Sequence, residues 1–354
     1  MNFVFSRKRI AGILAVLPAN ERRFIDDMKQ FDFPEARSLK LMQVMGYDRH
    51  RVVNDGVCVS DLAVAGMEHL FARELVDRQS LDALIVVTQS PDHFMPATSN
   101  IIQGRLRMKR DMLCLDIPQG CAGYLIGLIQ AFLLIEQPHV ARVAMITGDV
   151  LSRKVSVKDR NSYPLIGDGL AITIVEKGES PEAIHANVKM DGTAGDALII
   201  PAGGFRLPAS AETAVVEDAG DNNARSLNDL RMDGTAVFNF VQREVPPMID
   251  ELLASSGARK DDIDFFLFHQ PNRFMLEKLA DKMQVGYDRM PNNVVELFGN
   301  SSGATIPINI ALNLGQRLLA ESFQVCLAGF GVGLTWSSMI TRLGPLDFCE
   351  MIDF

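Results

Sequence analysis

Two hydrophobic rhythms alternate along the chain. Short unbroken apolar runs at residues 10–17 (IAGILAVL), 81–89 (LDALIVVTQ), 141–149 (ARVAMITGD) and 167–178 (GDGLAITIVEKG) predict strands buried on both faces. Between them, residues 55–78, 99–108 and 235–256 carry apolar positions at helical spacing, with Asp61 and Glu68 on the polar side of the first. Alternation of this kind predicts an α/β fold. Residues 207–229 (LPASAETAVVEDAGDNNARSLND) break the rhythm: they are small, polar and rich in Asp and Asn, and predict a mobile surface insertion. The longest apolar stretch, residues 124–135, is shorter than a membrane span.

The pattern also repeats. LDALIVVTQSPDHFMP (81–96) reads like DIDFFLFHQPNRFML (262–276), and CLDIPQGCAGYLIGLIQA (114–131) like VVELFGNSSGATIPINIAL (294–312). ARVAMITGDVLSRK (141–154) reads like FQVCLAGFGVGLTW (323–336), in the same order. The second pair predicts strand, small-residue turn and apolar helix in both copies. Two copies of one α/β unit, 1–180 and 181–354, are expected to face each other with equivalent turns around one cleft.

Candidate chemistry falls on those turns. Cys121 follows Pro118-Gln119-Gly120 and opens a helical segment, where unpaired N–H groups and the helix dipole favour the thiolate. A small buried Cys packing as a hydrophobe is the other reading. The repeat sets Asn300 opposite Cys121 and brings in His269, at the end of the strand FFLF where ligand-facing groups of open sheets lie. Each keeps a plain alternative: an interface histidine for His269, a helix N-cap for Asn300. The glycine loop GFGVG (329–333) lacks the last glycine and the downstream acid of a dinucleotide loop, and suits N–H donation to an oxyanion.

Composition narrows the setting. The chain has 354 residues, 47% apolar and 22% charged, with a net charge of −9 that argues against nucleic-acid binding. Five scattered cysteines without a CxxC pair fit a reducing compartment and neither a disulfide framework nor a structural zinc site. Arg7-Lys8-Arg9 before IAGILAVLPA has the look of a secretion signal, but a first strand ended by Pro18 accounts for it, and the reading is cytoplasmic.

QGCAGYLIGL, FHQPN, FGNSSGATIP and GFGVGLTW, in this order and supported by SPDHFMP, LIGDGLAITIV and MDGTAVFNFV, resemble the ketoacyl-ACP synthase III family of the thiolase superfamily, across nearly the whole chain. The resemblance implies a thiolase-like fold, two pseudo-twofold-related halves in five α-β-α-β-α layers, and a homodimer. It implies that Cys121 takes an acyl group from acyl-CoA or an acyl-carrier protein. His269 and Asn300 then assist decarboxylative condensation with a malonyl-carrier protein, and the N–H groups of Cys121 and Val332 form the oxyanion hole. No cofactor is implied beyond these substrates. An acyltransferase of the same fold that passes the acyl group to an alcohol or amine, and a non-catalytic subunit of a heterodimeric synthase, are the alternatives. Three departures bear on substrate. Lys40 and Val44 replace the Trp and Arg that commonly hold CoA, and Pro118-Gln119-Gly120 replaces a pair of small residues. The carrier-docking Arg after HQxN stands one place early, as Arg273, with Phe274 in its position.

Overall fold

The computed structural model describes residues 1–354. The strands of its two main sheets are β1 (Asn2–Phe5), β2 (Lys8–Leu17), β3 (Ala83–Val87), β4 (Leu113–Ile117), β5 (Arg142–Asp149), β6 (Gly169–Lys177), β7 (Ile184–Met190), β8 (Phe265–Phe268), β9 (Phe323–Gly331), β10 (Thr335–Leu343) and β11 (Phe348–Asp353). One sheet runs β11-β2-β6-β5-β3-β4 and the other β1-β7-β10-β9-β8. The repeat is visible in the pairing. In the first sheet β2–β6 and β6–β5 are antiparallel and β5–β3 is parallel. In the second, β7–β10 and β10–β9 are antiparallel and β9–β8 is parallel. Each half also lends a terminal strand to the other's sheet: β1 lies beside β7, and β11 beside β2.

The main helices are α1 (Glu35–Met45), α2 (Val59–Ala72), α3 (Thr98–Arg105), α4 (Gly123–Ile135), α5 (Gly234–Ser256), α6 (Arg273–Met283) and α7 (Thr305–Leu314). Burial of both strand faces explains the unbroken apolar runs. In β3, Ala83, Ile85 and Val87 enter one core while Leu84 and Val86 enter another. The first core holds α4 and α7 between the two sheets, with Leu125, Leu128, Ile306 and Ile310 packed against Met145 of one sheet and Leu327 of the other. α2 and α3 cover the outer face of the first sheet, α5 and α6 that of the second. The five layers follow from these contacts.

Two expectations are corrected. Val294–Phe298 is a helical turn, not the counterpart of β4, so β8 ends its sheet. Val294 and Val295 are buried in this turn, which Gly299 stops at φ 78° and which packs on the Arg49–Arg51 strand. The β-preference of valine yields here to its surroundings. Residues 207–229 do not hang free. Glu217–Asp218 pairs with Ala224–Arg225 as a hairpin, and the Arg225 guanidinium meets the fully buried Asp159 at 2.7 Å. The Arg160 N–H donates to Asn223 Oδ1 at 3.1 Å, and Ser156 Oγ donates to the Ala224 carbonyl at 2.6 Å. The polar residues that made the segment look solvated are the ones that anchor it.

Candidate active site

Cys121 sits in the turn between β4 and α4. The Gly123 N–H closes that turn on the Gly120 carbonyl at 2.7 Å. Two glycines give the thiol its place. A Cβ on Gly331 would lie 2.7 Å from Sγ, and one on Gly120 would strike Gln89 Oε1 at 2.0 Å. Burial pushes the Cys121 thiol up to about 11, with the Asp149 charge adding to it, against the opposing pull of the Val332 N–H, the Ser302 hydroxyl and its own N–H. Enclosure in the turn thus works against the helix end, which favours the thiolate. The two N–H groups expected to form an oxyanion hole, those of Cys121 and Val332, both favour the charged form of this sulfur. A backbone donor is indifferent to valine replacing glycine, so the Val332 side chain does not disturb the arrangement.

His269 lies just past β8, with its N–H donating to the Ala328 carbonyl of β9 at 2.7 Å. It is buried, and burial holds its imidazole down to about 3, so the ring is neutral near pH 7. Its Nδ1 lies 2.7 Å from Thr305 Oγ1, which also accepts the Gln270 N–H at 3.1 Å. The one Thr305 hydroxyl proton has two acceptors in reach, Nδ1 and the Ser302 carbonyl at 3.0 Å; when it turns to Nδ1, the ring hydrogen sits on Nε2 as a donor. Asn300 accepts the Ser302 N–H at 2.9 Å on Oδ1, which fixes the amide and leaves Nδ2 as the donor. Its backbone is pinned in turn: Asn300 N–H to the Leu165 carbonyl at 2.8 Å, Gly167 N–H to the Asn300 carbonyl at 3.2 Å. Asn300 thus caps its own tight turn and does not cap α7 directly.

The three residues line one cleft of about 730 Å³, as the repeat predicted. Its mouth includes Leu41 and Met45 of α1 and Arg160, Arg225 and Arg231 around the hairpin. Lys40 and Val44, by contrast, are exposed on the other faces of α1. Behind Cys121 a second, mostly apolar chamber of about 200 Å³ is walled by Leu151, Leu165, Ile166, Leu198, Ile200 and Leu230. Arg273 is paired with Glu296 and packed against Gly46, so its guanidinium is already occupied.

Three polar residues of the site were not singled out from the sequence: Asp149, Ser302 and Thr305. Asp149 ends β5 beneath Cys121, and burial raises its carboxyl to about 6. Its position at a strand end, as for His269, was the available signal. Ser302 and Thr305 stand two and five places after Asn300 in a run that reads as an ordinary small-residue turn. Only the packed structure turns them toward the site.

Comparison with known proteins places the chain. Residues 115–192 match the family model 3-oxoacyl-[acyl-carrier-protein (ACP)] synthase III, and residues 253–343 match the model of its C-terminal part. The β-ketoacyl-[acyl-carrier-protein] synthase III of Syntrophomonas wolfei is 30% identical, covering 86% of this chain and 89% of its own. That of Streptococcus equi subsp. equi is 32% identical over 80% of this chain and 84% of its own. The crystal structure of a 3-oxoacyl-(acyl-carrier protein) synthase from Burkholderia xenovorans is similar with a TM-score of 0.92 at 33% identity, covering 100% of this chain and 99% of the other.

Proposed function

Because the chain belongs to the 3-oxoacyl-[acyl-carrier-protein] synthase III family of condensing enzymes, we propose that Cys121 carries the acyl group and that His269 and Asn300 drive its condensation with a malonyl thioester. The observation that carries this reading is the convergence of Cys121, His269 and Asn300 on one cleft with a mostly apolar chamber beside the sulfur. Cys121 attacks the donor thioester, and the developing oxyanion takes the N–H groups of Cys121 and Val332. The acyl chain lies in the chamber, whose apolar wall suits an aliphatic group. The malonyl thioester then enters from the mouth. His269 Nε2–H and Asn300 Nδ2–H donate to its carbonyl and stabilise the enolate formed as CO₂ leaves, and the enolate carbon attacks the acyl-Cys121 carbonyl. Each such donor is worth about 3 kcal/mol in the transition state. A neutral imidazole suits this work, since a charged one in the same pocket would carry a large desolvation cost.

With Leu41 and Met45 lining the cleft and an exposed Lys40 where the family commonly has the CoA-stacking Trp, the α1 side of the site supports a carrier protein as the acyl donor. In this reading Arg273 serves the carrier only by exchanging Glu296 for an acidic residue of the partner. The open edge of β4, with Leu113 exposed, supports a homodimer in which the sheet continues across subunits. The five free cysteines support a reducing, cytoplasmic setting.

Intact-protein mass spectrometry with a panel of acyl-carrier and acyl-CoA donors tests the reading. A mass gain on Cys121, followed by CO₂ release and loss of that adduct on adding malonyl-carrier protein, is expected. Absence of any adduct defeats it. An adduct that alcohols or amines remove while malonyl-carrier protein does not would assign plain acyl transfer instead.

A further inference from the structure

One buried histidine–carboxylate pair lies outside the cleft and is joined to it through the backbone. His50 stands on the strand Arg49–Arg51, Asp27 ends the helical turn Phe24–Asp27, and both are almost wholly covered. His50 Nδ1 lies 2.6 Å from the Ile166 carbonyl, and Nε2 lies 2.9 Å from Asp27 Oδ2. A carbonyl oxygen only accepts, so the contact to Ile166 puts a ring hydrogen on Nδ1. The hydrogen between Nε2 and Oδ2 then comes from the ring or from the carboxyl, and either way Asp27 fixes the ring in this orientation. The Tyr163 ring closes on the imidazole edge-on at 6.0 Å. Apolar residues of similar size would fill this space at a lower desolvation cost, so stability alone does not account for the pair.

Ile166 is the middle of three residues that hold Asn300. The Leu165 carbonyl before it accepts the Asn300 N–H at 2.8 Å, and the Gly167 N–H after it donates to the Asn300 carbonyl at 3.2 Å. Gly299, the residue before Asn300, has φ 78°, and a Cβ there would lie 2.7 Å from His50 Cβ. The Asp168 N–H donates to the Arg51 carbonyl at 2.7 Å, which ties the same stretch to the strand that carries His50. The ring therefore meets the Asn300 turn twice, through the Ile166 carbonyl and through its own packing on Gly299.

We propose that His50, braced by Asp27, is a positioning residue for condensation: it holds the Ile166 carbonyl, and with it the 165–167 stretch that places Asn300 in the cleft. The inference rests on the proposed role of Asn300. His50 touches neither the sulfur nor the cleft and acts through the backbone alone. The Asn300 amide is fixed only to its own turn, by the Ser302 N–H on Oδ1 at 2.9 Å, so Nδ2 moves wherever that turn moves. A donor displaced by about 1 Å loses on the order of 10²-fold in rate. Cys121 is seated by the turn at Gly120, and His269 by Thr305 and the Ala328 carbonyl; neither is hydrogen-bonded to the pair. Acyl loading and condensation should therefore separate when the pair is altered. Leu165 and Ile166 also wall the acyl chamber, so a small acyl group, acetyl, is the one to use in reading the two steps.

Two conservative substitutions separate positioning from plain packing. In His50→Gln the amide can still donate to Asp27, while the bond to Ile166 is lost. Hydrogen–deuterium exchange, read by mass spectrometry on peptides spanning 165–167 and 299–301, is expected to quicken in this variant. CO₂ release from malonyl-carrier protein falls about tenfold or more with KM unchanged, while acylation of Cys121 by an acetyl-carrier donor stays near wild type. In Asp27→Asn the new amide donates to Nε2, the ring hydrogen stays on Nδ1, and both steps remain near wild type. A ¹⁵N-histidine spectrum should show a slowly exchanging Nδ1–H in the wild type and in Asp27→Asn, assigned to His50 by its absence from His50→Gln. Adding His50→Gln to Asn300→Ala should cost CO₂ release little more than Asn300→Ala alone, since the two act through one group. Equal loss of acylation and CO₂ release in His50→Gln assigns the pair to the fold and overturns the proposal. Undiminished CO₂ release, full additivity with Asn300→Ala, or a His50 ring with its hydrogen on Nε2 alone overturns it as well. If His50→Gln does not fold, the ring spectrum and Asp27→Asn decide: selective loss of CO₂ release in Asp27→Asn with the Nδ1–H still present contradicts the clamp. Faster exchange at 299–301 in His50→Gln, beside an Asn300→Ala enzyme that still releases CO₂, would sustain the clamp and defeat the reading of Asn300.

Discussion

Burial displaces two groups of the site in opposite directions. Asp149 is raised to about 6, so between about pH 4 and 6 the folded protein holds a proton that the unfolded chain has released; its effect on stability is lost as pH rises through that window. His269 is lowered to about 3, so between about pH 3 and 6.5 the unfolded chain holds the extra proton, and stability falls as pH falls. The two partly offset each other in the wild type. Removing the carboxyl in Asp149→Asn leaves the histidine unopposed, and this variant is expected to lose stability more steeply than wild type between pH 6.5 and 4.5. Urea midpoints at the two pH values check this, and a shallower slope in the variant contradicts it. Thr305 gives a second prediction. Thr305→Val removes the hydroxyl that meets His269 Nδ1, so CO₂ release should drop by about tenfold while acylation of Cys121 stays near wild type. Equal loss of both steps would show that Thr305 serves the fold and not the tautomer.

Among the elements, the hairpin at 217–225 has the clearest dependence on one contact. Asp159 is fully buried and meets Arg225, whose side chain is itself mostly covered. Arg225→Met leaves that carboxylate without its partner, which costs about 3 kcal/mol or more. Loss of the anchor frees the wall of the cleft, so a protease of broad specificity is expected to cut within 207–229 faster than in wild type. Asp159→Asn combined with Arg225→Met should recover part of the stability, since the uncompensated charge is gone. A hairpin as protease-resistant as before in Arg225→Met would mean that the backbone contacts to 156–160 hold it without the ion pair.

At the scale of the whole molecule, the two halves meet backbone to backbone around the catalytic turn. Gly303 of one half has no room for a side chain beside the Gly120 carbonyl of the other, and Gly331 touches the cysteine sulfur. Gly303→Ala should therefore destabilise the protein by about 1–3 kcal/mol, the usual cost of overpacking, measured as a shift in the urea midpoint. Gly331→Ala puts its methyl against Sγ at the edge of the cleft. Its expected effect is loss of Cys121 acylation with a smaller change in stability. Normal acylation in Gly331→Ala would refute the close fit described here.

The strands, the helices and the duplication were legible in the chain because burial on both faces writes unbroken apolar runs, and because a repeated unit repeats its pattern. Cys121, His269 and Asn300 were legible for a related reason: they sit at strand ends and turns whose order the repeat maps from one half to the other. The rest depended on contacts between segments far apart in sequence. Val294–Phe298 has the composition of a strand, yet it closes as a helical turn because it packs on residues 49–51 and not on a sheet edge. The polar insertion is held by a charge pair whose partner lies some 66 positions away. The charge state of Cys121 does not follow from its place before a helix alone, since a helix end favours the thiolate while enclosure by the opposite half favours the thiol. The sequence by itself singled out the residues proposed to carry the chemistry; the packing of the two halves decided their burial and their neighbours, because desolvation and hydrogen-bond partners exist only once the chain has closed on itself.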